Sequence, residues 1–274
     1  YLPEDKTHTF WCISQALTFL HKRDPAAPFF LNISFIDPHP PLTPPQFYYD
    51  RYIAADLPLP VVGDWAPPFA QRERGLDINA SVLSLDETTM RYARAAYYGM
   101  INHIDDQVGR LLNYLRDRKL LEQTFILFTS DHGEMLGDHN MFRKTFAYEA
   151  SARIPFLARA PRPMELPSEI VCNAPVGLQD IMPTFLALAG APIPETVTGQ
   201  SLLPLMRGDE THWRSVLQGE HAGCYQYDDG VHFLVSRDAK YIWYSQTGRE
   251  QLFQLDDDPH ELHDLALRDD AESL

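Results

Sequence analysis

The sequence predicts an α/β protein, with a parallel or mostly parallel sheet between helices and a small C-terminal α+β subdomain containing an antiparallel sheet. Three observations carry that expectation. Over the first two thirds of the chain, apolar runs of strand length alternate with amphipathic stretches of helical period, an order that favours parallel strands joined by helices. After "SLLPLMRGDE" (201–210) the texture changes to short strand-like runs separated by turn residues. The length of 274 residues with 45% hydrophobic content suffices for one large domain with a smaller appendage. The expected division is 1–205 and 206–274.

Each element has its own local reason. From Thr9 to about Arg23, Phe10, Ile13, Leu17 and Leu20 recur at helical spacing until "DPAAP" breaks the pattern. "PFFLNISFI" (28–36), bounded by prolines, reads as a buried strand that delivers the chain to Asp37, Pro38 and His39. Irregular backbone rich in Pro and aromatics is expected through about Leu85. Asp86, with Thr89 and Met90, then opens a long helix with Tyr97, Ile101, Ile104, Val108, Leu111 and Leu115 on one face. "TFILFTS" (124–130) and "IPFLARAP" (154–161) read as strands, and "GLQDIMPTFLALAG" (177–190) as a helix closed by Gly190. Residues 231–255 hold three strand-like runs divided at Arg237-Asp238 and Thr247-Gly248, the pattern of an antiparallel meander.

Composition excludes some functions. A formal charge of −15 and the lack of any Lys/Arg cluster argue against a general nucleic-acid binder, so an anionic substrate must be held by a few local cations or a metal. Cys12, Cys172 and Cys224 lie far apart with no CxxC pairing, which indicates neither a zinc site nor a disulfide framework, although one disulfide stays open. No stretch approaches the roughly 20 apolar residues of a membrane span, and the first residues are not a signal peptide. A chain that opens on Tyr1 and runs straight into a helical pattern reads as a piece of a longer protein.

The chemistry-bearing residues follow the apolar runs. In open α/β sheets ligands bind beyond the carboxyl ends of the strands, where Asp131-His132 follows "FILFTS" and His39 follows "FFLNISFI". A carboxylate and a neutral imidazole are both competent ligands for a divalent cation, and Gly133 lets the backbone turn so that they converge. Asp131 can equally cap a helix, and His132 can be a satisfied loop histidine. His39 is stiffened by flanking prolines and is equally compatible with a structural role. Lys144, with Arg143 beside it, is a candidate anion clamp or a surface ion-pair partner. Asp138 and His139 are further ligands, supporting groups or loop polar residues; their spacing does not decide.

The segments "FFLNISFIDPHPPLTPP", "YYGMINHIDDQVGRLL", "FILFTSDHGEMLGDHNMFRK", "SARIPFLARAP", "LQDIMPTFLALAG", "GQSLLPLMRG" and "LFQLDDDPHELHDLA" together resemble the sulfatase branch of the alkaline phosphatase superfamily, in the family's order and over nearly the whole chain. The closing part is particularly similar to bacterial arylsulfatases. The resemblance implies an alkaline-phosphatase-like α/β fold, a mixed sheet flanked by helices, with a four-stranded antiparallel sheet and a helix at the C-terminus. It makes Asp131 and His132 metal ligands, His39 a sulfate contact that assists proton transfer at the leaving oxygen, and Lys144 a sulfate-binding lysine. The implied metal is Ca²⁺, with Mg²⁺ and Mn²⁺ as alternatives, and the implied substrate a small-molecule sulfate ester.

One departure matters. Sulfatases of this type use a formylglycine made from Cys or Ser in a Cys/Ser-x-Pro/Ala-x-Arg motif, and none of the three cysteines lies in one. The formylglycine and the family's first metal-binding aspartates are therefore expected in an N-terminal segment upstream of residue 1. Without them the chain is expected to hydrolyse sulfate esters negligibly. Two other readings stand beside sulfate hydrolysis: a phosphonate monoester or phosphodiester hydrolase of the same superfamily, and a noncatalytic binding protein on a sulfatase scaffold. Phe47, Tyr48, Tyr49 and Trp65, with Glu220, His221, Tyr225 and Tyr227, are candidates for lining a pocket or for packing.

Overall fold

A computed structural model of the chain describes residues 2–66, 85–167 and 169–267. It divides into two compact units, one of Tyr1–Leu59, Leu85–Phe125 and Pro161–Pro163, the other of Pro60–Ser84, Ile126–Ala160 and Met164–Leu274.

The first unit is helical. Helix α1 (His8–Lys22) starts where the Thr7 side chain accepts the Phe10 amide at 3.2 Å, and it ends with His21 and Lys22 in the last turn, where cations suit the carbonyl end. Ile13 and Leu20 are buried as expected. Residues 28–36 depart from expectation: they form no strand, and no ladder among the described residues includes them. Their side chains alternate between half-buried and exposed, with Phe30 71% and Ile36 60% exposed. The period-2 pattern survives, but strand structure requires a partner that local sequence does not supply.

Helix α2 (Gln46–Ile53) forms where the prolines and aromatics suggest irregular backbone; Pro45 occupies its N-cap position and Tyr48 is its buried residue. It packs on α3 (Glu87–Asp117), where a side chain at Gly99 would meet the Tyr48 backbone at 3.2 Å. Asp86 caps α3 by accepting the Thr89 amide at 2.9 Å. The buried stripe of α3 runs through Ala95, Ala96, Gly99, Met100, His103, Ile104, Gln107 and Leu115, whereas Ile101 is exposed. Small and polar residues sit at the contacts, so an apolar count placed the face slightly off phase.

In the second unit, β1 (Ile126–Thr129) pairs with β2 (Phe156–Arg159) in antiparallel register, Ile126 opposite Arg159 and Thr129 opposite Phe156. The strands fall where the apolar runs place them, but the pairing is not the parallel one that the alternation of elements suggested. The segment between them carries α4 (Glu149–Ala152). Helix α5 (Ile181–Leu188) ends before Gly190, whose φ of +66° is the left-handed stop that glycine adopts without strain. Buried Asp180, just before α5, accepts the amides of Gly177 and Gln200 and both terminal nitrogens of Arg214, each of these last at 2.6 Å. That hub holds "GQSLL" behind α5, where the Leu202 amide donates to the Thr184 hydroxyl, and leads into α6 (Leu203–Met206).

The meander comprises β3 (Leu217–His221), β4 (Val231–Val235), β5 (Ala239–Tyr244) and β6 (Glu250–Gln254), in that order and antiparallel throughout. The expected runs became β4, β5 and β6; β3 escaped notice because Gly219 interrupts it. A side chain there would collide with the Phe233 ring of the paired strand at 2.1 Å. The core gathers Met135, Met141, Phe146 and Tyr148 from the loop after β1 against Val231, Ile242 and Phe253 of the sheet. All three cysteines are free, and no helix among the described residues is long and apolar enough to cross a membrane.

Candidate functional site

Asp131, His132 and Gly133 follow β1 directly. The Ser130 hydroxyl donates to the His132 carbonyl at 2.6 Å and the His132 amide donates to Asp131 Oδ1 at 3.0 Å, so the two side chains leave the backbone on a fixed turn. His132 Nδ1 lies 2.8 Å from the Gly133 carbonyl, which can only accept; Nδ1 therefore carries the proton and Nε2 the lone pair. Nε2 stands 3.5 Å from Asp131 Oδ2, with the Asp131 side chain 82% exposed. Two lone-pair atoms held this way repel unless a cation or proton lies between them. Ligands about 2.1 Å (nitrogen) and 2.4 Å (oxygen) from one ion at a right angle would be about 3.2 Å apart, so the pair fits adjacent positions of one divalent cation. No group of three or more metal-ligating side chains occurs among the described residues.

Gly133 is fixed by crowding. Its amide donates to the Ser151 carbonyl of α4 at 2.7 Å, and a side chain there would meet the Ala150 carbonyl oxygen at 2.1 Å. Beyond it the loop closes twice, Met135 donating to Arg143 and Gly137 to Met141, each at 2.8 Å. Glu134 accepts the Leu136 amide at 3.1 Å and also the Arg143 amide. Arg143 and Thr145 have φ of +70° and +82°, so Lys144 sits between two left-handed residues, half-buried, with Phe142 and Phe146 buried on either side. Lys144 thus lies on the loop that begins with Asp131, one residue beyond the Met135–Arg143 closure.

Asp138 and His139 have a structural job. Asp138 Oδ1 accepts the Val61 amide at 3.2 Å; His139 donates its amide to Val61 at 2.7 Å and accepts the Gly63 amide on Nδ1 at 3.1 Å. The His139 ring is buried against Trp65, centroids 4.8 Å apart, and burial lowers its pKa to about 4. It is neutral at pH 7 and fastens residues 61–63 to the loop. Trp65 also stacks on Tyr148, and Tyr225 packs on Phe146, so these two pocket candidates are core residues. Tyr48 is buried, whereas Phe47 and Tyr227 are 72% and 77% exposed.

His39 belongs to the first unit, the other three site residues to the second. Its amide donates to Ile36 at 3.0 Å and its Nδ1 to the Pro40 carbonyl at 2.8 Å, which leaves Nε2 as the nitrogen that gains a proton in the imidazolium. One further set of residues has no signature in the sequence: Lys240, Glu149 and Glu261, an ion cluster in which Lys240 and Glu261 are each 1% exposed.

Residues 9–191 match the sulfatase family, and residues 137–274 match the family of N-sulphoglucosamine sulphohydrolase C-terminal regions. The chain is 44% identical over 264 residues to an arylsulfatase of Clostridium perfringens, covering 96% of this chain and 54% of that protein. It is 32% identical to a choline-sulfatase of Rhizobium meliloti, covering 87% and 46%. A solved phosphonate monoester hydrolase of Agrobacterium radiobacter superposes with a TM-score of 0.83 at 24% identity, over 99% of this chain and 59% of that one. A structure in complex with its substrate D-glucosamine-2-N,6-O-disulfate superposes with a TM-score of 0.79 at 21% identity, over 97% and 66%. These likenesses carry the α/β sulfatase-like fold. The chain spans about half the length of these curated relatives. With its Asp-His turn, its lysine-bearing loop and its antiparallel C-terminal sheet all inside the matched regions, the chain belongs to the sulfatase family.

Proposed function

We propose that the protein carrying this chain is a metal-dependent sulfuric ester hydrolase of arylsulfatase type. The observation that carries the reading is the Asp131-His132 turn, which holds a carboxylate oxygen and an imidazole lone pair 3.5 Å apart beyond the end of β1. Asp131 and His132 would hold a divalent cation, Ca²⁺ foremost given its preference for oxygen ligands, with Mg²⁺ or Mn²⁺ as alternatives. Such a cation supplies charge stabilisation for the sulfuryl oxygens and for an attacking oxygen. Lys144 binds a sulfate oxygen as a compact point charge, which suits a tetrahedral anion. His39, protonated on Nε2, donates to the leaving oxygen as negative charge develops there.

The nucleophile in this reading is a formylglycine in a segment upstream of residue 1, which also completes the metal ligands. Residues from about 206 onward form the C-terminal subdomain. By itself, the 274-residue chain is expected to turn over aryl sulfates negligibly, because two ligands bind a metal weakly and no attacking group is present. The test compares aryl sulfate turnover by the isolated chain, by the full-length protein, and by the full-length protein after chelation. Efficient turnover by the isolated chain, or chelator-insensitive turnover by the full-length protein, would sink the reading.

A second reading, phosphonate monoester hydrolysis, is supported by the likeness to a solved phosphonate monoester hydrolase of Silicibacter pomeroyi at 25% identity and a TM-score of 0.82. The 44% identity to an arylsulfatase supports the sulfate reading ahead of it.

A further inference from the structure

Lys240 lies in the middle of the C-terminal sheet, on β5, yet its ammonium is buried and serves two carboxylates: Glu149 Oε1 at 2.6 Å and Glu261 Oε1 at 2.9 Å. The second oxygen of Glu261 accepts the Glu149 backbone amide at 2.7 Å, and Glu149 is the first residue of α4. Glu261 is itself pinned, its carbonyl accepting Trp65 Nε1 at 2.7 Å. A buried cluster with more carboxylates than ammonium groups is a costly way to stabilise a sheet. It does, however, set the position of α4 tightly.

What α4 holds is the turn behind the metal-ligand pair. The Ser151 carbonyl at its end accepts the Gly133 amide at 2.7 Å, and the Gly133 carbonyl accepts His132 Nδ1–H at 2.8 Å. The Ala150 carbonyl presses on the Gly133 α-carbon so closely that no side chain fits. The path from Glu261 to His132 therefore runs through three hydrogen bonds and the short backbone of α4. We infer that Glu261 and Lys240 are positioning residues for the Asp131-His132 site: through Glu149, Ser151 and Gly133 they fix His132 as the Nδ1–H tautomer and so present Nε2 to a divalent cation. The inference rests on the proposed metal role of this pair. It assigns the C-terminal sheet a part in cation binding, although none of its residues is a ligand.

The experiment uses the full-length protein and two readouts taken without substrate. The first is the His132 tautomer, read from side-chain ¹⁵N shifts in the metal-free protein above the pH at which the ring loses its second proton. The second is the dissociation constant for Ca²⁺ by calorimetry. In the wild type His132 is Nδ1–H. In Glu261→Ala it shifts toward Nε2–H, because α4, no longer tied at the Glu149 amide, holds Gly133 less firmly in register, and Ca²⁺ binding weakens about tenfold or more, the usual cost of losing a group that orients a ligand. Glu261→Asp, which keeps the charge beside Lys240 but shortens the reach to the Glu149 amide, gives a smaller change in the same direction and covers the case in which Glu261→Ala does not fold. Thr184→Ala, which breaks the bond to the Leu202 amide elsewhere in the unit, is the control for lost stability alone. If the Glu261 variants lower the melting temperature as Thr184→Ala does but leave the tautomer and the Ca²⁺ constant unchanged, the inference is overturned. If the tautomer shifts between wild type and Glu261→Ala but the wild type binds no cation, the proposed function is overturned instead.

Discussion

Replacing Gly133 with alanine tests the site at its tightest point. The φ of Gly133 lies outside the left-handed region, so the change costs contact rather than backbone conformation. The new methyl would lie 2.1 Å from the Ala150 carbonyl oxygen, 3.0 Å from its carbon and 3.2 Å from the Ser151 oxygen, all backbone atoms that cannot rotate away. Relieving the clash requires β1's exit and α4 to separate by more than about 1 Å, which takes the 2.7 Å bond from Gly133 to Ser151 beyond hydrogen-bonding range. A lost backbone bond at a half-buried amide costs about 1–3 kcal/mol, and the same shift pulls the carbonyl that orients His132. Chemical denaturation of Gly133→Ala should show that loss, with a melting temperature lower by roughly 5–10 °C. Calorimetric titration should show cation binding weakened about tenfold or more. A variant whose stability lies within about 0.5 kcal/mol of wild type, with unchanged cation affinity, would refute the reasoning.

Three other perturbations have definite signs. The His139 pKa falls from 6.5 to about 4 on folding because its ring is buried, so below pH 6.5 the unfolded chain takes a proton that the folded chain refuses. Stability from this residue is full above pH 6.5 and drops by about 3 kcal/mol on acidification to pH 4; His139→Asn, which keeps an acceptor for Gly63 and tolerates the positive φ, should flatten that part of the stability–pH curve, and an unchanged slope would exclude the assignment. Arg214→Met strands the fully buried Asp180 carboxylate and should cost about 3–5 kcal/mol, with partial recovery when Asp180→Asn is added; loss without recovery in the double variant contradicts the pairing. Lys144→Ala in the full-length protein should lower kcat/KM for an aryl sulfate by about 100-fold or more while cation affinity stays within about twofold, and a loss confined to cation affinity would move Lys144 out of the sulfate site.

What the sequence made legible was local. Asp86 caps its helix at a residue three positions on, and Gly190 stops α5 by its own conformation, so both boundaries are visible in a short window. Strand pairing is not local. Residues 28–36 carry a strand's period without a partner among the described residues, and β1 pairs antiparallel with β2 although the order of elements suggested otherwise. The candidate site divides the same way. Asp131 and His132 were visible because adjacent ligands follow an apolar run, and Lys144 because the family resemblance aligned it. The roles of Asp138 and His139 depend on residues 61–63, some 76 positions away, and Lys240 meets Glu149 across 91 positions. A buried ion cluster leaves no signature in sequence, since an isolated lysine in a strand reads as a solvated one.

The central claim is that the Asp131-His132 turn serves cation-assisted cleavage of a sulfate monoester. The most direct measurement is kcat/KM of the full-length protein for matched aryl sulfate and aryl phosphonate esters, with and without chelator, in wild type and in His132→Ala. The account predicts that the sulfate ester is preferred, that chelation abolishes turnover, and that added Ca²⁺ restores the wild type far more readily than the variant. Preference for the phosphonate ester, or sulfate turnover that neither chelation nor His132→Ala diminishes, would contradict it.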